Sequence, residues 1–183
     1  MPNGIMKIMG VILFVVLIFY AVYQNYKVQD DLAYQNAYHA VTDFVDNVRS
    51  KGYITPKMYE DFQRELELGS YTFNVEMKHQ QKIYTPVYAD PNDESSFKNE
   101  FVIDYDEYYK SQIEKVLFDE SNSIPKNKRM YKLQEGDFFE MSVVNLHKTN
   151  ATMLLDFLTA NTLGSDSSTI VIPYGGMVLN EDY

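Results

Sequence analysis

From Ile8 to Tyr23 the chain reads Ile, Met, Gly, Val, Ile, Leu, Phe, Val, Val, Leu, Ile, Phe, Tyr, Ala, Val and Tyr, without one charge. With Ile5 and Met6 ahead of Lys7, the run approaches the ~20 residues that carry a helix across a bilayer, because a lysine near the end of a span can lift its ammonium to the head groups. Tyr20, Tyr23 and Tyr26 fall where the opposite interface favours an aromatic ring with a polar tip. Lys7 precedes the span and Asp30 and Asp31 follow it, which predicts a cytoplasmic N-terminus. The expected organisation is a head and transmembrane helix over 1–26 and an extracytoplasmic domain over 27–183, on a single-pass protein of the cell membrane. A secretory signal has a similar apolar run, but no small-x-small cleavage pattern surrounds Ala21, so an uncleaved anchor is expected.

Beyond Tyr23 the pattern becomes amphipathic. Tyr34, Tyr38, Val41, Val45 and Val48 recur at steps of 4, 3, 4 and 3, with Ala37 and Phe44 on the flank and no Pro or Gly before Gly52. This spacing predicts one stripe on a helix continuous with the span, closed by Arg49, Lys51 and Gly52. Thr55-Pro56 then caps a short helix carrying Met58, Tyr59, Phe62 and Leu66. Tyr71, Phe73, Val75 and Met77 alternate with polar residues and predict a half-buried strand. Residues 79–100 read as an irregular excursion with a short extended piece at Ile83 to Tyr88. Asp104 and Glu107 imitate a capping box for a helix through Tyr105, Tyr109, Ile113, Val116 and Leu117, ending near Asp119. Phe139, Met141 and Val143 predict a second strand, Met153 to Leu158 a helix stopped near Gly164, and Thr169 to Tyr174 and Met177 to Leu179 two extended pieces flanking a tight turn or a bulge at Gly175-Gly176. The expected class is α+β, with the long helix and short helices packed against a small antiparallel sheet.

Composition narrows the function. Sixteen Lys and Arg against 26 Asp and Glu give a net charge of −10, and residues 149–183 contain no cation, so nucleic acid is not an expected partner. The one basic cluster, Lys126, Lys128, Arg129 and Lys132, reads as a solvated loop. The absence of cysteine removes disulfides, Cys-ligated zinc and thiol catalysis. His39, His79 and His147 stand at no ligand-like spacing, and Asp90, Asn92 and Glu94 begin a calcium-loop pattern that Pro91, Ser95 and Phe101 break. No catalytic, cofactor-binding or metal site is expected, and the protein is read as no enzyme. Asn150-Ala151-Thr152 fits a glycosylation sequon but reads as the start of a helix. Sixteen tyrosines beside 11 phenylalanines and no tryptophan would suit an adhesive or assembling surface as well as a core.

The apolar span merging into an amphipathic helix and a small outer domain resembles type IV pilins and their minor relatives. The stretch from Phe44 to Leu68, with Gly136-Asp137-Phe138-Phe139 to Val144 and Tyr174-Gly175-Gly176-Met177-Val178, resembles TadE-like pseudopilins of tight-adherence (Flp) pilus systems. The resemblance implies a non-enzymatic structural or assembly subunit of an extracellular pilus or secretion apparatus, whose partners are membrane lipid, other pilin-like subunits and pilus assembly proteins. It also implies processing between Gly4 and Ile5 and a subunit interface along Tyr34, Tyr38, Val41, Val45 and Val48. Met9 departs from the family's Glu at the fifth mature position. The alternative is a membrane-anchored extracytoplasmic binding or sensory domain.

Overall fold

One helix, α1 (Pro2–Lys51), carries the apolar run and the amphipathic stretch without a break in the computed structural model, which describes residues 2–69, 71–90, 92–160 and 170–183. Its 50 residues span about 75 Å at 1.5 Å each. Gly52 ends it at φ 73°, its N–H bonded to Val48 O at 2.8 Å, so the stop falls on the residue that the left-handed conformation favours. The last carbonyls of α1 are satisfied by the C-terminal segment: Leu179 N donates to Arg49 O at 2.8 Å, Asn180 Nδ2 to Ser50 O at 3.1 Å and Asp182 N to Lys51 O at 2.9 Å.

After α1 come β1 (Tyr53–Ile54), α2 (Pro56–Glu67), β2 (Phe73–Tyr88), β3 (Phe97–Tyr109), α3 (Lys110–Phe118), β4 (Tyr131–Lys132), β5 (Phe138–Asn145), α4 (Asn150–Leu158) and β6 (Val171–Met177). Thr55 Oγ1 caps α2 by accepting from Met58 N, and Pro56 opens it, as the sequence predicts. The main sheet is antiparallel throughout, in the order β3-β2-β5-β6, while β1 and β4 form a separate antiparallel pair. Helix α1 lies on one face of this sheet. Val41, Val45 and Val48 are fully buried with Phe139, Met141, Val143 and Ile172, and the Phe44 ring meets Phe62 at 4.8 Å and Phe139 at 6.3 Å. The fold is thus α+β, a long N-terminal helix packed against a four-stranded sheet with short helices.

Three local expectations are corrected. The excursion at 79–100 is mostly strand: β2 runs on to Tyr88 and returns as β3. Pro86 still pairs with Phe101, and the register shifts only beyond it, between Pro86 and Tyr88; four residues earlier, Lys82 N donates to Asp137 Oδ1 rather than to β3. Pro86, on the same alternate set, likewise has its missing N–H turned from β3, so no ladder bond is lost. The helix expected from Asp104 starts only at Lys110. Tyr105 and Tyr109, four apart, share a sheet face instead of a helix face. The helix-opening contact falls a turn later, where Gln112 Oε1 accepts from Tyr109 N at 2.7 Å. Gly175-Gly176 makes no turn but lies inside β6, opposite Glu140 and Phe139. A Cβ on Gly175 would come within 2.8 Å of Phe139 O, and one on Gly176 within 2.7 Å of the Arg49 guanidinium, so close approach explains both glycines. The strand ends at Met177, and Gly164 and Thr169 lie outside the described residues.

Candidate functional site

The sequence-predicted stripe divides into two parts. Val41, Val45 and Val48 are spent inside this chain's own core, whereas Tyr34 and Tyr38 are 44% and 42% exposed. Their rings lie nearly parallel at 6.2 Å, with His39 edge-on to Tyr38. The buried line on α1 is rotated from the expected one and runs through Ala33, Ala37, Ala40, Val41, Phe44, Val45 and Val48. It continues downward as partly covered Asp30, Tyr26, Tyr23 and Phe19. Gly4 has no other group within 4 Å of where a Cβ would lie, and Ile5 is exposed, as are the large apolar residues from there to Ile18. This is one helix long and apolar enough to cross a membrane, a property shared by membrane anchors and signal sequences.

A second surface is the β2–β3 arm. β5 pairs with β2 only as far as Gln80, so beyond it residues 82–88 and 97–105 form a ribbon of two strands. Met77 and His79 lie on the buried face of the sheet, so even positions of β2 and the odd positions of β3 opposite them face the other way. That outer face presents Tyr84, Phe101, Ile103 and Tyr105, all exposed, and Tyr105 stands edge-on to Phe138 on β5 at 6.4 Å. Toward the base of the arm, Glu107 is bonded by Lys78 Nζ at 2.7 Å, Tyr109 Oη at 2.6 Å and Gln80 Nε2 at 3.1 Å, which hold its carboxyl down at about 2. The free edge of β3 is partly blunted, since the outward N–H of Tyr105 is taken by its neighbour Asp104 and that of Tyr109 by Gln112.

Between β2, β4 and the turn before β5 sits a buried triad that the sequence reading missed. His79 Nδ1 lies 2.7 Å from Tyr131 Oη, and His79 Nε2 lies 2.9 Å from Asp137 Oδ2. Asp137 also accepts from Lys82 N at 2.9 Å and Gln134 N at 2.7 Å, so both carboxylate oxygens are acceptors. The proton between His79 and Asp137 therefore belongs to Nε2, and Tyr131 donates to Nδ1. Burial raises the Tyr131 phenol, with the Asp137 charge adding to it, and keeps it a donor. All three side chains are sealed from solvent, so the constellation fixes the base of the arm and the turn at Gly136, φ 89°, rather than meeting a substrate. The sequence signal that could have found it is Gly136-Asp137, a turn followed by a buried-strand alternation.

The remaining histidines are exposed, and no cluster of three metal-ligating side chains occurs among the described residues. The calcium-like run is a local turn: Asp90 Oδ1 accepts from Asn92 N and Asp93 Oδ1 from Ser95 N. Three of the basic loop's side chains are engaged within the fold. Lys126 pairs with Glu60, Arg129 bonds Ile124 O, Leu117 O and Asn122 O, and Lys132 lies over the Tyr183 ring at 4.1 Å. No family model, curated protein or solved structure matches this chain.

Proposed function

We propose that the protein is a membrane-anchored, pilin-like (TadE-like) structural or assembly subunit of an extracellular pilus or secretion apparatus, without enzymatic activity. The observation that carries this reading is the double use of α1. Its upper half is the core of the outer domain, and its lower half is an uncovered apolar rod in rigid continuation. Such a rod is satisfied by lipid in a membrane and by neighbouring rods in a filament. The contact toward other subunits then consists of the span with Tyr34 and Tyr38, because the three valines are already used. N-terminal sequencing of membrane-extracted protein tests the reading. A start at Ile5 marks pilin-like maturation and a start at Met1 or Pro2 an uncleaved anchor; with either, the Tyr34→Ser, Tyr38→Ser double variant should be folded but poor in assembly. A start beyond Tyr20 overturns both anchor and pilin-like readings.

The second reading, an anchored extracytoplasmic binding domain, is supported by the exposed aromatic face of the arm. Loss of surface binding to envelope material in a Phe101→Ser, Tyr105→Ser variant, with assembly intact, would favour it.

A further inference from the structure

We propose that α4 is a membrane-contacting helix, its outward face seated in the boundary between head groups and acyl chains of the bilayer that α1 crosses; this rests on the anchor reading above. Helix α4 is apolar on both sides. Ala151 and Thr152 are buried toward the domain, while Met153 and Phe157, four apart and on the opposite side, are 50% and 75% exposed. It contains no cation, and its single acid, Asp156, is paired with Lys148 at 2.7 Å. A helix with two apolar faces needs cover on both.

Its place in the fold says what covers the second face. Tyr71 Oη donates to the Asp30 carboxylate on α1 and accepts from Asn150 N at 3.0 Å, so the first residue of α4 is one side chain away from Asp30. Asp30 is four residues past Tyr26, about 6 Å along the helix. The head-group layer on each side of a bilayer is about 5–8 Å thick. With Tyr23 and Tyr26 at the interface, this end of the domain stands at the rim of that layer. Helix α4 packs on α1, whose Ala33 and Ala37 are buried and whose side stays partly covered down to Phe19. Leu146, whose N–H bonds Thr72 O at 2.9 Å beside Tyr71, is exposed at the same end. Lipid already surrounds the adjoining span, so it is the occupant continuous with this patch. Because the helix brings apolar side chains and no cations, contact is by insertion rather than by attraction to anionic lipid.

The cysteine-free chain makes a direct test possible. Full-length protein carrying one cysteine at Met153, Phe157, Leu13 or Ser96 is labelled with an environment-sensitive fluorophore. It is then reconstituted in phosphatidylcholine vesicles containing lipids spin-labelled near the glycerol or near the chain end. The label at 157, and that at 153, should be quenched by the shallow spin label about twofold more than one at Ser96. The result should not change in phosphatidylglycerol vesicles or with added salt. If the Leu13 label is quenched by the deep spin label while 153 and 157 behave like Ser96, the anchor stands and this inference falls. If Leu13 is not quenched either, the anchor reading itself has failed. A 157 label that is blue-shifted, unquenched and dependent on protein-to-lipid ratio would show a second copy on this face, which also overturns the proposal.

Discussion

Gly175 and Gly176 are adjacent in β6 but differ in what a methyl group would meet. At Gly175 the neighbours are backbone atoms of Phe139 and Glu140, which cannot retreat; at Gly176 it is the end of the Arg49 side chain, already held by Met177 O at 3.0 Å and Asp46 at 2.8 Å. Gly175→Ala should therefore cost about 1–3 kcal/mol and Gly176→Ala less, as read by chemical denaturation of detergent-solubilised protein. Equal costs would mean that the Arg49 network is as rigid as the strand. His79 sets an acid limit on the domain. Burial holds its imidazole below the ordinary 6.5, outweighing the upward pull of Asp137. As the pH falls, the unfolded chain takes up this proton first, so the stability present above about pH 6.5 drains away on acidification. Thermal unfolding measured between pH 7 and 5 should show a steeper loss for the wild type than for His79→Gln; parallel slopes would remove His79 from the account.

The β2–β3 arm and the sheet core obey different rules. Phe101 and Ile103 face outward on a two-stranded ribbon, so replacing both by serine should change stability by no more than about 0.5 kcal/mol each. Met141→Ala, in the sealed centre of β5, should cost about 2–5 kcal/mol. Denaturation midpoints that rank these the other way would place the arm in the stabilising core. The same contrast explains which elements could be read from the sequence. The upper half of α1, α2 and β5 announce themselves because one face is buried and the other wet, giving clean periods of 3.6 and 2, and the lower half of α1 by its unbroken apolar run. The arm is exposed on both faces over much of its length, so 79–105 has no burial alternation, and Pro86 and the Asp104–Glu107 spacing mislead toward loop and helix. The periodicity sets the stripe on α1 off its axis for a related reason. Bulky Tyr34 and Tyr38 dominate the periodicity, whereas the true seam is filled by Ala33, Ala37 and Ala40, whose burial depends on what comes close rather than on their own area. The triad stayed hidden because it draws on three segments, 79, 131 and 137, joined only by the fold.

The anchor reading gives the molecule a direction: Lys7 within, the arm and the Asp90 turn without. Introduced cysteines check it, since Ser96→Cys should react with an impermeant thiol reagent on intact cells and Asn3→Cys only after permeabilisation. Labelling at 3 but not at 96 would reverse the orientation. The bonds from Leu179, Asn180 and Asp182 to the end of α1 add a constraint in time. During synthesis, α1 emerges well over a hundred residues before β6 and the segment that closes on it. Until then the seam from Ala37 to Val48 has no β6 to cover it, and the final carbonyls of α1 lack their donors. A nascent chain stalled before Val171 should thus be held at the membrane by its first helix while its outer part remains protease-sensitive, and resistance should arrive late, in one step, when Ile172, Val178 and Leu179 dock. The helix made first is the last to be finished.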